Sequence, residues 1–311
     1  MRIVINLITM ICVIFAVNTD LFAQDREGIE MVGDLYNFWD TSSDILIDGD
    51  IAYIADGRAG LKVINIADPD NIAEIAGLSL CDNARKLRRD GDILYVLDYR
   101  HGLHLIDVSD VENPRSVNYY SIGAFDFDIS GDFVYFAAGD LLVVNKADPE
   151  NLEEVGSCEV DWTLTAVNTR ANFVYGVRTN FGEGGSRGCL INIADPENPE
   201  MVDDQFGHYS RTEFRDNDGF SASRGLYIHD FADPVGPELM GSVADNSFNL
   251  GIFLGGNNVY TTGETFIVFD VQDIENPQLI SEIEIPGTGY GVAMQNNTAF
   301  VMDSEFFFYR S

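Results

Sequence analysis

The pattern Gly-Gly-Ser-Arg-Gly at residues 184–188 is the first group in this sequence that could do chemistry. In serine hydrolases, Gly-x-Ser-x-Gly holds the nucleophile on a strained turn between a strand and a helix, and an acid and a histidine follow it. Asp195 and His208 follow Ser186 in that order, but the flanking residues have the pattern of two β-strands and indicate no helix. The motif therefore predicts a hairpin tip, and we assign no catalytic residue.

Metal-binding patterns are also incomplete. Residues 216–219 (Asp-Asn-Asp-Gly) resemble the centre of an EF-hand loop, but Phe214 and Gly225 stand where its first and last carboxylates belong. The sequence has no Cys-x-x-Cys pair, His-Glu-x-x-His or Walker phosphate loop, and its histidines are not spaced as metal ligands. We predict no metal and no cofactor, with a looser calcium site that uses backbone oxygens as the alternative.

The charge of the chain excludes one class of partner. Its 51 acidic residues against 18 Lys and Arg give a formal net charge of −33, which repels nucleic acid and anionic lipid. An acidic, solvated surface suited to a salty exterior explains this charge, and a dedicated cation-binding surface is the alternative. Apolar residues make up 46% of the chain, enough for a large core, so global disorder is excluded.

The first 24 residues have the pattern of a secretory signal peptide. Arg2 is followed by an apolar run over residues 3–17 and a polar exit over 18–24. We expect cleavage after Ala23 or Gln24, which leaves residues 25–311 as the mature domain. No later segment is long and apolar enough for a transmembrane helix. The mature protein is thus expected to be secreted, on the cell surface or periplasmic.

Three cysteines remain after that cleavage: Cys81, Cys158 and Cys189. An odd number leaves at least one free thiol, and the three occupy non-equivalent repeat positions. They do not form a disulfide framework, and whether Cys158 and Cys189 pair stays open.

The elements that must position any site come from an internal repeat. An apolar strand ends in Asx and runs into Asp-Pro or a variant, as in Leu-Lys-Val-Ile-Asn-Ile-Ala-Asp-Pro at residues 61–69. A second phrase, such as Asp-Gly-Asp-Ile-Ala-Tyr at 48–53, precedes it and is typical of a hairpin. This spacing predicts four short strands in each unit. The anchor aspartates recur every 38 to 47 residues: Asp68, Asp110, Asp148, Asp195, Asp233 and Asp273.

The two ends of the chain suggest a closed ring. Residues 30–33 match the strand that follows each Asp-Pro turn, and residues 306–309 match the strand that precedes it. Counting a degenerate fifth copy, there are seven units. We therefore predict an all-β, seven-bladed β-propeller in which the N-terminal strand completes the last blade and leaves no open edge. An open solenoid would need capping repeats, and none is visible.

These phrases resemble the LVIVD repeat of bacterial secreted and surface proteins, which are taken to be β-propellers. The resemblance covers roughly residue 30 to the end, with weak copies at 170–175 and 216–220. It implies the fold, but it implies no common substrate and no catalytic residues.

Candidate site residues gather on one face of the predicted propeller. The regular Gly-Asp and Asp-Pro turns share the turn face, whereas the loops between second and third strands and the crossings between blades share the loop face. Variable loops on a rigid frame usually carry function. Arg and aromatic side chains together suit anion or sugar-ring recognition, although the arginines could simply neutralise nearby acids. The candidate ligand-binding residues are Trp39, Arg58, Arg85, Arg100, His101, Trp162, Arg178, Arg187, His208, Tyr209 and Arg211.

The leading hypothesis is an exported, non-catalytic, monomeric propeller that binds an extracellular protein or a glycan or anion through the loop face. Within that face, residues 178–188 and 205–215 form the longest irregular loops and are the preferred place for a site. The rival hypothesis is a hydrolase or lyase acting on an extracellular polymer. It would use Asp44, Asp126 and Glu213 near the axis, with Lys86 and Arg211 between them. A structural surface module without a small ligand is the third reading.

Overall fold

The computed structural model describes residues 11–19, 29–37, 42–68, 71–79, 83–181, 186–206, 212–245, 249–285, 287–296 and 298–305. Within these residues the secondary structure consists of β-strands and turns. None of the described residues belongs to a helix that is long and apolar enough to cross a membrane. Paired strands within each sheet are antiparallel, and most of these pairs are consecutive in the chain, which is the arrangement expected for a propeller.

The strands are short and evenly spaced along the chain. They are β1 Ile11–Thr19, β2 Ile29–Asn37, β3 Ser42–Asp48, β4 Ile51–Asp56, β5 Gly60–Asn65, β6 Ala73–Leu78, β7 Ala84–Asp90, β8 Ile93–Asp98, β9 Gly102–Asp107, β10 Arg115–Ser121, β11 Asp126–Ser130, β12 Phe133–Ala138, β13 Asp140–Asn145, β14 Glu153–Cys158, β15 Thr163–Arg170, β16 Phe173–Thr179, β17 Ser186–Asn192, β18 Glu200–Phe206, β19 Thr212–Arg215, β20 Asp218–Ala222, β21 Gly225–Asp230, β22 Glu238–Ala244, β23 Gly251–Gly255, β24 Asn258–Thr262, β25 Thr265–Asp270, β26 Gln278–Glu284, β27 Thr288–Gln295 and β28 Thr298–Glu305.

The protein is an all-β propeller. Six blades each consist of four consecutive strands, from β3–β6 (the first blade) to β23–β26 (the sixth), one fewer than the seven blades predicted. The remaining strands form a composite sheet in the order β2-β1-β28-β27. One N-terminal strand was expected there, but two are present, and β1 lies inside the predicted signal peptide. Residues 306–309, expected as a strand of this sheet, lie outside the described residues.

The turn face is built by the two repeated phrases, as predicted. Gly49, Gly91 and Gly131 adopt φ values of 56°, 55° and 54°, the left-handed region that a tight hairpin requires. In the degenerate fifth unit, Asp216 takes the same conformation with φ 52°. Because Asp tolerates this region better than most residues, the hairpin persists without its glycine.

The Asp-Pro turns are held by carboxylate and amide side chains. Asp107 Oδ1 accepts a hydrogen bond from Ser109 N at 2.9 Å, and Asp110 Oδ1 accepts one from Glu112 N at 3.1 Å. Equivalent bonds recur at the other units, for example from Ala194 N to Asn192 Oδ1 at 2.9 Å. These acids therefore cap turn backbone, which is the structural role predicted for them.

Several blades contact the next blade through one position on the fourth strand. A Cβ atom at Gly156 would lie 2.2 Å from the carbonyl oxygen of Pro196 in the next blade's turn. At the equivalent position of the second blade, Asn118 Nδ2 donates to the carbonyl oxygens of Pro149 and Glu150, both at 3.0 Å. At this position Gly156 leaves room for the turn of the next blade and Asn118 bonds to that turn, whereas the first blade has Ala76.

The core contains at least one aromatic ring from the second strand of every sheet, in each case at the third residue of that strand. These rings lie in the repeated phrase, and each is at most 5% exposed: Tyr53, Tyr95, Tyr135, Tyr175, Phe220, Tyr260 and Phe300. Between sheets, Gln295 Nε2 of β27 donates to Asp50 Oδ1 of the first blade at 2.8 Å. The composite sheet therefore stands beside the first blade, and the ring closes.

Candidate functional site

The first strands of the blades surround a cavity of about 570 Å³ on the axis. Its lining residues lie near the beginnings of these strands, which is where the chain enters from the loop face. The cavity therefore occupies the loop-face end of the axis. Its wall includes residues of β3, β7, β11, β15, β19, β23 and β27.

One side of the cavity carries paired charges from three blades. Lys86 Nζ lies 2.5 Å from Asp126 Oδ1. Arg88 Nε lies 2.7 Å from Asp128 Oδ1, and its Nη1 atom lies 4.0 Å from Asp44 Oδ2. Two cations thus stand among three carboxylates on adjacent inner strands, where their charges largely compensate one another.

The same aspartates also bind backbone of the next blade. Asp44 Oδ2 accepts from Leu87 N at 2.9 Å, and Asp126 Oδ2 accepts from Val167 N at 3.0 Å. Asp128 Oδ2 accepts from Thr169 N and Oγ1 at 2.7 and 2.8 Å. All three carboxylates therefore join blades, and Asp44 and Asp126 also line the cavity.

The electrostatics differ between these acids. Burial raises the pKa of Asp44 above its ordinary value, against the opposing effects of Arg88 and the bond from Leu87 N. Burial acts in the same direction on Asp128, but Arg88 and Lys86 outweigh it and hold the pKa of Asp128 below its usual range. The neighbouring carboxylates in turn raise the pKa of Arg88, despite its burial. Arg88 is therefore a fixed positive charge at the centre of the group.

Glu213 is the acid of the cavity wall whose carboxyl group is available to a bound molecule. Among the described residues it has no hydrogen-bond or ion-pair partner, and its side chain is exposed to the cavity space. The surrounding protein raises the pKa of Glu213 by desolvation, Arg88 opposes this, and Asp128 and Asp44 add to it. Its carboxyl group can thus accept or, when protonated, donate a hydrogen bond to a bound molecule.

The opposite side of the cavity is largely apolar. It is formed by the first strands of the sixth blade and of the composite sheet, β23 and β27. A ligand in this cavity would meet charged groups on one side and hydrocarbon on the other. The residues that form the apolar side are Leu250, Gly251, Ile252, Phe253, Tyr290, Gly291 and Val292.

An aromatic rim continues from the cavity to the tip of the long hairpin. Phe125, which lines the cavity, makes an edge contact with Tyr99 at 5.6 Å between ring centroids and stacks with Phe181 at 6.1 Å. Arg85 lies 4.6 Å over the Tyr99 ring. Phe181 is 69% exposed. These four residues, Arg85, Tyr99, Phe125 and Phe181, form the aromatic rim and come from three different blades.

The predicted site residues lie in different environments in the structure. Arg85 is in the aromatic rim, and Arg187 lies 4.8 Å over the ring of Trp162. The backbone amides of Arg100 and His101 donate to Asp98 Oδ1, so their loop is fixed while their side chains stay exposed. Arg58 is also exposed. Trp39, His208, Tyr209 and Arg211 lie outside the described residues.

Arg178 has a different environment from the one expected of a ligand-binding residue. It is 3% exposed and donates to the carbonyl oxygens of Asp161, at 3.1 Å, and Asp204. It borders a second pocket of about 410 Å³ together with Glu159 and Asp203. This geometry favours a role in holding the crossing and the outer strand of the fourth blade.

The hairpin prediction for residue Ser186 agrees with the strand pairing. Ser186 pairs with Thr179 across two antiparallel strands, and its own strand β17 continues to Asn192. Cys158 and Cys189 are both free and buried. Among the described residues, no group of three or more His, Cys, Asp or Glu side chains is arranged to hold a metal ion.

Sequence reasoning missed Arg88, Asp128 and the aromatic rim apart from Arg85. A signal for the first two was present, because Lys86 and Arg88, like Asp126 and Asp128, are spaced by two and share one face of a strand. The rim had no such signal, since Tyr99, Phe125 and Phe181 meet only in the folded ring.

Comparison with known protein families gave a match to a repeat family. The family sequence model described as "LVIVD repeat" matches residues 41–77, 83–121 and 123–160. The chain contains LVIVD repeats. Each matched segment begins at or just before the first strand of a blade and ends at or near its fourth, so one LVIVD repeat corresponds to one blade.

Solved structures agree with the fold of this LVIVD-repeat propeller. The computationally designed Ika8 protein is 13% identical, with a TM-score of 0.58 over 88% of this chain and 87% of its own. The Cps50 (Swd1) β-propeller domain of Myceliophteria thermophila is 11% identical, with a TM-score of 0.62 over 85% and 96%. At these identities the likeness concerns the fold alone. A search of curated proteins gave no significant match.

Proposed function

We propose that this LVIVD-repeat protein is an exported propeller of seven blades that binds a glycan at the loop-face end of its axis. The observation that carries this proposal is the junction of the aromatic rim with the cavity that contains Glu213. In this proposal residues 1–24, and β1 with them, are removed on export, and β2, β27 and β28 belong to the seventh blade.

Sugar rings present two kinds of surface, and the cavity offers a match for each. Their C–H faces pack on aromatic rings such as Phe125 and Phe181, and their hydroxyl groups need hydrogen-bond acceptors and donors. Glu213 and Lys86 are of the required types. A cavity of about 570 Å³ also falls within the range of small-ligand sites.

The charges favour a neutral glycan over an anion. Lys86 and Arg88 are already engaged by carboxylates, and Glu213 adds a further acid to the same cavity. In a chain of net charge −33, an anionic ligand would be repelled both at a distance and at the site. The alternative of anion recognition by the predicted arginines therefore has less support.

The experiment is a glycan array probed with residues 25–311, followed by calorimetry on the ligand found. Replacement Phe181→Ala should weaken binding about tenfold, because stacking contacts contribute roughly 1–1.5 kcal/mol. Leu239→Ala is the control, since Leu239 is 57% exposed on the outer strand β22, away from the axis. An array without any glycan ligand, or a ligand whose affinity ignores Phe181, would contradict the proposal and favour a structural module.

A hydrolase or lyase is the second candidate, and one observation favours it. Asp44 and Glu213 both line the cavity, and desolvation by the surrounding protein raises the pKa of each, as a general acid requires. The test is prolonged incubation of the array ligand with wild-type protein and with Glu213→Gln. Cleavage that depends on Glu213 would establish the enzyme, whereas an intact ligand would leave binding as the function.

A further inference from the structure

The axial cavity extends along only part of the inner strands. Among the described residues, its wall reaches toward the turn face as far as Arg88, Asn168, Glu213 and Phe253. Each of these four lies two residues before the last residue of its strand, so the wall ends at one common level. The groups at this level therefore decide whether a bound chain could continue along the axis.

An ion pair occupies this level on the charged side of the cavity. Arg88 extends from β7 to Asp128 on β11, where its Nε atom lies 2.7 Å from Oδ1. Its Nη1 atom donates to the carbonyl oxygen of Leu87 at 2.9 Å and lies 4.0 Å from Asp44 Oδ2 on β3. Asp128 is itself fixed by bonds from the backbone and hydroxyl groups of Thr169. The guanidinium group thus spans the inner strands of three blades.

An aromatic ring occupies the same level on the apolar side. The ring of Phe253 points toward the turn face, since a Cβ atom on Gly255 would lie 3.2 Å from its Cε1 atom. Phe253 also packs against two core clusters, one that contains Ile45 of the first blade and one that contains Tyr260 of its own blade. The ring therefore fills space below the cavity, across the axis from Arg88.

The aromatic rim lies on one side of the loop-face end. Phe125 belongs to both the cavity wall and the rim, and its backbone N donates to the carbonyl oxygen of Ala137 at 2.8 Å. Its ring stacks with that of Phe181 at 6.1 Å between centroids, and Phe181 is 69% exposed. The two rings thus mark a path from the cavity outward over the third and fourth blades.

We propose that the axial cavity has one open end and receives the non-reducing terminus of a glycan chain, while the following sugars leave across Phe125 and Phe181. Glu213, at the deepest level of the wall, accepts a hydrogen bond from a hydroxyl group that is free on the terminal sugar and is engaged in a glycosidic bond on every internal one. A glycan attached to a carrier is joined through its reducing end, so its non-reducing end is free to enter. The inference rests on the proposed glycan binding and does not depend on removal of residues 1–24.

The test measures by calorimetry the affinity of the full chain 1–311 for three forms of the ligand found on the glycan array. One form is unmodified, and one is methylated at the hydroxyl group of the non-reducing terminal sugar that internal sugars use for their linkage. The third is the methyl glycoside, which carries the same group at the reducing end. Methylation of the terminal hydroxyl should weaken binding at least about tenfold, because it removes a hydrogen bond to a carboxylate. The methyl glycoside should bind within about twofold of the unmodified ligand.

Two substitutions test the direction in which the chain lies. Glu213→Ala should weaken binding about tenfold at every chain length, whereas Phe181→Ala should do so only for ligands long enough to reach the rim. Shortening the ligand from its reducing end should therefore abolish the effect of Phe181→Ala and retain that of Glu213→Ala. Glu282→Ala, at an exposed position of β26, is the matched control and should leave the affinity unchanged.

The outcomes separate this inference from the proposed function. Equal affinities for the unmodified and the terminally methylated ligand would show that an internal segment is bound, which overturns the inference and leaves glycan binding intact. A large loss for the methyl glycoside alone would show that the reducing end enters, which also overturns it. Both comparisons use wild-type protein, so a variant that fails to fold cannot produce these results. An array without any glycan ligand would remove the proposed function and this inference together.

Discussion

The Nε atom of Arg88 lies 2.7 Å from Oδ1 of Asp128, so one guanidinium connects the first strands of the second and third blades. The same group lies 4.0 Å from Asp44 of the first blade. The three inner strands face the axis, so this contact both holds adjacent blades together and helps to fix the shape of the cavity.

Replacement of Arg88 by Met should destabilise the propeller by about 1–3 kcal/mol. It would leave Asp128 and Asp44 without their main cation, and the loss is smaller than for a fully buried pair because the Arg88 side chain is 32% exposed. The measurement is urea denaturation at pH 7. Arg89→Met is the matched control: its partner Asp48 is 53% exposed, so the loss should stay below about 1 kcal/mol. Equal losses of stability for the two variants would contradict the role of Arg88 in connecting the inner strands of three blades.

Replacement of Glu213 by Gln should stabilise the protein at neutral pH, and the gain should shrink on acidification. The folded-state pKa of Glu213 is raised above 4.5, so the folded protein binds a proton more readily than the unfolded chain. The charged form therefore costs stability above the folded pKa, and this cost disappears as the pH falls toward 4.5. Thermal unfolding between pH 4.5 and 7.5 measures the effect.

The control for that series is Glu282→Gln, an exposed position on the outer strand β26. The difference between wild type and Glu213→Gln should vary with pH in a way that the control does not reproduce. A constant difference across the series would mean that the cavity does not disfavour the charged form of Glu213.

Replacement of Gly156 by Ala should cost about 2–3 kcal/mol, because the added Cβ would lie 2.2 Å from Pro196 O of the next blade and the backbone must move. Gly123→Ala is the control, since a Cβ there meets nothing within 4 Å. Its effect should be below about 1 kcal/mol in either direction. Chemical denaturation of both variants gives the comparison, and a tolerated Gly156→Ala would argue against direct packing of adjacent blades at this point.

The fold was largely predictable because each unit repeats the same sequence signals for its strands and turns. The Asx and Asp-Pro turns and the buried ring of each second strand are local features, so the sequence displays them directly. The fifth unit kept its hairpin because Asp216 can adopt the left-handed conformation that Gly49 supplies elsewhere. The composite sheet was harder, because one N-terminal strand was predicted there and the structure has two, β1 and β2.

The candidate site was only partly predictable, because it depends on residues that meet across blades. Asp44, Lys86, Asp126 and Glu213 could be placed near the axis from the strand register, and all four line the cavity. The contact between Phe125 and Phe181 joins residues of different blades, and neither residue stands out in its own repeat. Arg178 had the type expected of a binding residue, but its burial could not be seen before the crossing of the fourth blade was known.

The most direct test of the proposed site is a crystal structure of residues 25–311 with the glycan from the array. The ligand should lie at the loop-face end of the axis, with a sugar ring on Phe181 or Phe125 and a hydroxyl group within hydrogen-bond distance of Glu213. A ligand bound on the turn face, or on the outer strands with the cavity occupied only by water, would contradict the account.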